Sequence, residues 1–119
     1  MAQHVYIHDQ PFELESGARL EQLQIAYHTY GELNAERDNV VWVCHNLTAS
    51  SDVADWWSIL VGPSRAINGS DHFVICANIL GSCYGTSGPE SIDPATGKPY
   101  FSSFPEFTLR DMVRAHILL

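Results

Sequence analysis

Between Arg19 and Tyr30 the chain alternates. Leu20, Gln22, Gln24, Ala26 and His28 fall on one face, and Glu21, Leu23, Ile25, Tyr27 and Thr29 on the other. A period of two over this length predicts a long antiparallel strand, preceded by a shorter one near Phe12 to Leu14, with Ser16-Gly17 as the turn. A polar connection, Gly31 to Asn39, then leads into Val40-Val41-Trp42-Val43-Cys44. That continuous, β-branched apolar run is the mark of a strand buried on both faces, and Phe73-Val74-Ile75-Cys76-Ala77 is a second of the same kind. Asp55 to Val61 reads as a helical turn or short helix, which Gly62-Pro63 ends. Thr108 is placed to cap a helix, with Asp111 completing a capping-box pattern. Leu109, Met112, Val113, His116 and Ile117 then recur at helical spacing. The alternation of elements predicts an α/β fold. Its two apolar runs should be adjacent parallel strands joined by a right-handed crossover, with an antiparallel hairpin on one edge.

The stretch Gly81 to Pro99 carries four glycines and three prolines, yet keeps Cys83, Tyr84 and Ile92. A free linker needs none of these apolar residues, so the composition predicts a long, ordered loop. Ordered loops leaving the end of a strand are where α/β enzymes build their sites. With 119 residues, 45% hydrophobic and 17% charged, the chain has the composition of one globular domain at most. A formal net charge of −8, with six scattered Lys and Arg residues, argues against nucleic acid and anionic membranes as partners. No run is long enough to cross a bilayer, and the first residues do not resemble a signal peptide. Three cysteines, an odd number, suit reduced thiols in the cytoplasm. The final helical pattern runs to Leu119 without a stop signal, and two buried strands cannot cover their own sheet. The expectation is therefore that residues 1–119 are the N-terminal part of a single larger domain, broken within a helix.

The residues that carry most information resemble a family. They are His45-Asn46-Leu47-Thr48 after a buried strand, Trp56-Trp57, Leu60-Val61-Gly62-Pro63 and Phe73 to Asn78. The Cys83-Tyr84-Gly85-x-x-Gly88-Pro89 loop comes next, then Asp93-Pro-Ala-Thr-Gly-Lys-Pro-Tyr100 and Arg110-Asp111-Met112-Val113. Together they resemble the homoserine O-acetyltransferase family of the α/β-hydrolase superfamily, from about Phe12 onward. The resemblance implies transfer of an acetyl or succinyl group from acetyl-CoA or succinyl-CoA to the side-chain hydroxyl of homoserine or serine. That reaction leads toward methionine or cysteine and passes through an acyl-serine made by a Ser-Asp-His triad. It also implies small-molecule substrates, no bound cofactor, and a homodimer for the full-length protein. No Gly-x-Ser-x-Gly elbow occurs in these 119 residues, so the triad is expected beyond Leu119 and the fragment alone is expected to be inactive and poorly soluble.

By position, the resemblance makes the backbone N–H of Leu47 the first oxyanion donor. His45, Thr48, Asn78, Cys83 and Tyr84 are the candidate substrate-binding residues. His45 is expected to fix the turn through a ring hydrogen bond to the backbone, leaving general-base work to a later His. A Cys83 nucleophile with His45 as base would make a thiol enzyme; a buried, inert Cys83 is the expectation. Cys44, Cys76, Cys83 and His45 lack Cys-x-x-Cys spacing, and no metal site is expected. Asn78 can serve the site or support the glycine loop. Arg110 and Asp111 can pair with the loop or only serve the helix start. Trp56 and Trp57 can shape an acyl pocket or pack in the core, and neighbours on a helix do not share a face. Asn46, Ala49 and Asp52 depart from the Ala, Gly and His usual in the family, Ala49 raising the prospect of left-handed strain. Phe101 stands where a small residue often follows Lys-Pro-Tyr. Two other readings are an α/β-fold hydrolase that gives the acyl group to water, and a non-catalytic module.

Overall fold

The computed structural model describes residues 2–119. The strands are β1 (Gln3–His8), β2 (Phe12–Glu13), β3 (Arg19–Leu20), β4 (Leu23–Tyr30), β5 (Val40–Val43), β6 (Phe73–Ala77), β7 (Ile92–Asp93) and β8 (Lys98–Pro99). The helices are α1 (Val53–Trp56) and α2 (Leu109–Ile117), with a 3-10 turn at Phe101–Ser103. The main sheet has the order β1-β4-β6-β5, and β2-β3 and β7-β8 are separate two-stranded ribbons. None of the described helices is long and apolar enough to cross a membrane. The described residues divide into two units, one holding the residues up to His4 with Tyr27–Ala77, the other Val5–Ala26 with Asn78–Leu119.

In the first unit β5 and β6 are parallel neighbours, Val40 opposite Phe73 and Val43 opposite Cys76. On the other side of β6 the end of β4 runs antiparallel, Tyr27 opposite Ala77 and Tyr30 opposite Val74. The parallel pair is the one the apolar runs predict. Val43, Val53, Val61, Val74 and Cys76 form the buried cluster, with Trp56 and Ile67 packed against it. Within these 119 residues β5 ends the sheet order and leaves Val40 and Trp42 exposed. An expectation changes after β5. The helix after it is a single turn starting at Val53, and Trp57 is already its C-cap with φ −124°. Because Trp57 has left helical geometry, its ring stacks on that of Trp56 at 5.5 Å, which adjacent residues inside a helix cannot do. Gly31, with φ +81°, sits where a Cβ would collide with the His72 carbonyl oxygen, so only glycine closes this corner.

In the second unit the predicted hairpin forms, Phe12 opposite Leu20 and Glu13 opposite Arg19. The long strand does not run through from Arg19. Exposed Glu21 and Gln22 interrupt it, which lets Leu20 and Leu23, on opposite faces of any continuous strand, both be buried. β1 has no counterpart among the predicted elements. Its apolar alternation, Val5 and Ile7, points outward and leaves both residues about half exposed, so no buried face marks it in the sequence.

The capping box at α2 forms as predicted. Thr108 Oγ1 accepts from the Asp111 N–H and Asp111 Oδ2 accepts from the Thr108 N–H. Within these 119 residues Asp111 and Ala115 are buried, while Leu109, Val113 and Ile117 of the apolar stripe are left uncovered. Asp111 also accepts from the Glu15 N–H at 3.1 Å and from Arg114 at 2.9 Å. Arg114 lies over the Phe12 ring at 5.1 Å.

Removing a fully buried carboxylate that holds two backbone N–H groups and an Arg should be costly. Asp111→Ala is expected to lower unfolding stability by about 3 kcal/mol, and Asp111→Asn by about half of that, read from urea midpoints. Phe101 has a left-handed φ of +48° and an exposed side chain. Phe101→Gly should therefore raise stability by about 1 kcal/mol in the same measurement.

Candidate functional site

β5 delivers the chain into a tight turn from Asn46 to Ala49, closed by Ala49 N–H donating to the Asn46 carbonyl at 3.1 Å. The Asn46 side chain accepts from the Thr48 N–H at 3.2 Å, an Asx bond inside the turn. Of the turn's interior N–H groups this leaves that of Leu47, which has no hydrogen-bond partner among the described residues. Leu47 is 87% exposed, so its side chain does little packing. His45 Nδ1 donates to the Asn46 carbonyl at 2.7 Å, which is the turn-fixing role the sequence suggests. Ala49 has no left-handed φ, so alanine carries no backbone strain there.

Two side chains tie the segment after the turn to its surroundings. Trp56 Nε1 donates to the Ser50 carbonyl at 2.9 Å. His28, on β4, places Nδ1 2.7 Å from Ser51 Oγ, and both groups are buried. Burial lowers the His28 pKa from its ordinary value, against a smaller opposing effect of Asp52. Sequence reasoning assigns His28 only a place on a strand face. Alternation reveals the face, and the partner 23 residues away leaves no mark on it.

The other candidates lie in the second unit. Asn78 follows β6 and is fully buried; its amide donates to the carbonyls of Ala26 at 3.1 Å and Tyr84 at 3.0 Å. Its own carbonyl accepts from Thr86 Oγ1 at 2.9 Å and from His116 Nε2 at 3.2 Å. Thr86 Oγ1 accepts the Ala26 N–H, Ser87 Oγ accepts the Gln24 N–H, and the Gly81 N–H donates to the Ser87 carbonyl. Gly81, at φ +87°, backs onto the Phe107 ring so closely that a Cβ would overlap it. The rest of the stretch is pinned by the β7-β8 ribbon, Ile92 opposite Pro99. Cys83 and Tyr84 stand exposed on this framework, so Cys83 is not the buried residue expected. Cys44 is also exposed, one residue past β5. Cys76 is buried, and desolvation, helped by the neighbouring Cys44, pushes its thiol up to about 12, leaving it unreactive at neutral pH. The structure thus brings His45, Leu47 and Thr48 together in one turn, and Asn78, Cys83 and Tyr84 together in one loop.

A homoserine O-acetyltransferase of Nostoc punctiforme is 55% identical to this chain over 109 residues, which is 92% of the chain and 31% of that protein. One from Moorella thermoacetica is 52% identical over 124 aligned residues, 96% of the chain and 33% of the relative. These curated relatives are homoserine O-acetyltransferases. The chain spans about a third of their length. Among solved structures, the homoserine O-acetyltransferase from Bacillus anthracis superposes with a TM-score of 0.87 at 34% identity, covering 98% of this chain and 35% of that one. Esterase E22 superposes with a TM-score of 0.84 at 29% identity, covering 98% and 36%. No family model matches the chain. The likeness to the acetyltransferase and the mixed sheet with its parallel pair make the fold that of an α/β-hydrolase.

The glycine loop depends on Thr86 because one hydroxyl accepts the Ala26 N–H and donates to the Asn78 carbonyl. Thr86→Val keeps the shape and removes both bonds, with an expected loss of about 2 kcal/mol in thermal or urea unfolding. A loss below about 0.5 kcal/mol would mean that water takes over both groups.

Proposed function

We propose that this chain is the oxyanion-turn portion of an acyltransferase that moves an acetyl group from acetyl-CoA to the side-chain hydroxyl of homoserine, in the cytoplasm and on the way to methionine. The observation that carries this reading is the 55% identity with a homoserine O-acetyltransferase over 92% of the chain. In this reading the nucleophilic serine, its histidine and its aspartate come from residues outside the 119, and an acyl-serine forms between the two half-reactions. Leu47 contributes its N–H: as the thioester carbonyl becomes tetrahedral, negative charge builds on its oxygen, and a fixed donor there lowers the barrier. The free state of that N–H and the pinning of the turn by His45, Asn46 and Trp56 support the assignment. Succinyl-CoA as donor and serine as acceptor are the nearest substrate alternatives.

Transfer to water is the second reading, favoured by the superposition of esterase E22. Its 29% identity sets it below the acetyltransferases as a guide to chemistry. The two are separated by assaying the intact protein for coenzyme A release from acetyl-CoA with and without homoserine, beside hydrolysis of a simple acetyl ester. Homoserine-dependent release supports transfer; ester cleavage with no homoserine dependence replaces it by hydrolysis.

Leu47 occupies the first central position of its turn, where proline is commonly accommodated, and its side chain is exposed. Leu47→Pro in the intact protein therefore deletes the donor and keeps the turn. Turnover should fall roughly 10²- to 10³-fold with KM for acetyl-CoA nearly unchanged. Near-normal turnover would move the oxyanion role elsewhere.

A further inference from the structure

We propose that His28 is a positioning residue for the Leu47 donor: its neutral imidazole holds Ser51, and through Ser51 the turn that presents the Leu47 N–H. The inference rests on the reading of Leu47 as an oxyanion donor. A serine hydroxyl 2.7 Å from a histidine nitrogen has the form of a nucleophile and its base. Here Ser51 is 0% and His28 8% exposed, so no substrate reaches the pair and a supporting role is left. Ser51 lies four residues beyond Leu47. Its carbonyl accepts the Val53 N–H at 2.9 Å, which starts α1. The side-chain anchors of the segment after the turn include Trp56, which donates to the Ser50 carbonyl from α1, and His28, which holds Ser51 from the sheet.

Of these two anchors, only the one from the sheet titrates. Among the described residues, the ionisable groups around His28 are Asp52 from the turn segment and His4 from β1, while Cys76 stands opposite on β6. Burial outweighs the Asp52 carboxylate and holds the imidazole pKa below 6.5. His28 is thus neutral at pH 7 and gains its proton as the pH falls through the folded value. A lowered folded pKa means that its contribution to stability is complete above about 6.5 and is lost on acidification. Protonation makes both ring nitrogens donors and puts a charge into a dry site, which disfavours the buried contact between His28 and Ser51. The hold that His28 gives the turn from the sheet is then weakened. A shift of the donor on the order of 1 Å is enough to cost up to about 10²-fold in turnover.

The test tracks the Leu47 amide and the His28 ring by NMR in the intact protein from about pH 8 to about pH 5, beside steady-state kinetics. The Leu47 amide shift should titrate with the same midpoint as the His28 ring. In His28→Asn, which keeps a hydrogen-bonding group near the Nδ1 position but does not titrate, the Leu47 shift should be flat. In Ser51→Ala the ring should still titrate while the Leu47 amide no longer tracks it, and turnover should drop roughly tenfold without change in KM. His28→Leu should show the same drop, and His28→Asn should rescue most of it. A Leu47 amide that ignores His28 titration in the unsubstituted protein overturns the proposal, as does a Ser51→Ala protein in which the coupling persists. Should the unsubstituted protein show no acyl transfer at all, the acetyltransferase reading falls, and the amide coupling still decides whether His28 controls the turn. If His28→Asn does not fold, Ser51→Ala carries the same decision.

Discussion

β4 is longer than its partner. It pairs with β6 from Tyr27 to Tyr30, and β6 ends at Ala77, which leaves the backbone of Gln24 and Ala26 needing other partners in a buried position. A buried N–H or C=O without a partner costs as much as several apolar contacts gain, so this shortfall constrains the residues just after β6. The backbone answers in part, the Asn78 N–H donating to the Ala26 carbonyl and the Ser87 N–H to the Gln24 carbonyl, and side chains supply the rest. Asn78 takes the Ala26 carbonyl, Thr86 the Ala26 N–H, and Ser87 the Gln24 N–H. The path of the loop is set by these bonds, and its glycines sit where the path runs too close to its neighbours: Gly81 against Phe107, Gly88 against the Ser82 carbonyl. The Asn78 carbonyl, which also accepts from His116, extends the same set of bonds to α2.

Each unit therefore relies on buried polar groups as well as on apolar packing. Asn78 and Asp111 are fully buried in one unit, and Ser51 with His28 is buried in the other. Such groups add less net stability than apolar residues of equal volume would, because desolvation offsets much of their bonding. What they add is direction. An apolar contact tolerates a slide along its partner, whereas Asp111, accepting from Glu15, Thr108 and Arg114, is satisfied in one orientation of α2.

The parts of the fold legible in the sequence are those fixed by local chemistry. The parallel runs announce themselves by β-branched residues, and the α2 start by Thr108 and Asp111. The illegible parts depend on distant partners. β1 has no buried face, and the interruption at Glu21-Gln22 is set by the need to bury both Leu20 and Leu23. Asp111 of α2 is met by Glu15, 96 residues before it. In the turn, Leu47 is reached through resemblance alone, and its free N–H is a property of the backbone that no side chain signals. His28 escapes sequence reasoning for the same reason as Asp111: its meaning lies in Ser51.

The turn also gives a physical sense to Asn46. A four-residue turn uses the N–H of its last residue and leaves those of its two central residues free. With an alanine at position 46, both Leu47 and Thr48 would offer donors, pointing in different directions. Asn46 accepts the Thr48 N–H in its own side chain, at 3.2 Å, and the Thr48 hydroxyl lies 3.4 Å from the same oxygen. One donor is withdrawn and the other is left. A single N–H is thus held in a turn that is closed at Ala49 and braced at Ser50 and Ser51, which is the pre-organisation the proposed oxyanion role requires. Asn46 thereby narrows the turn to one donor.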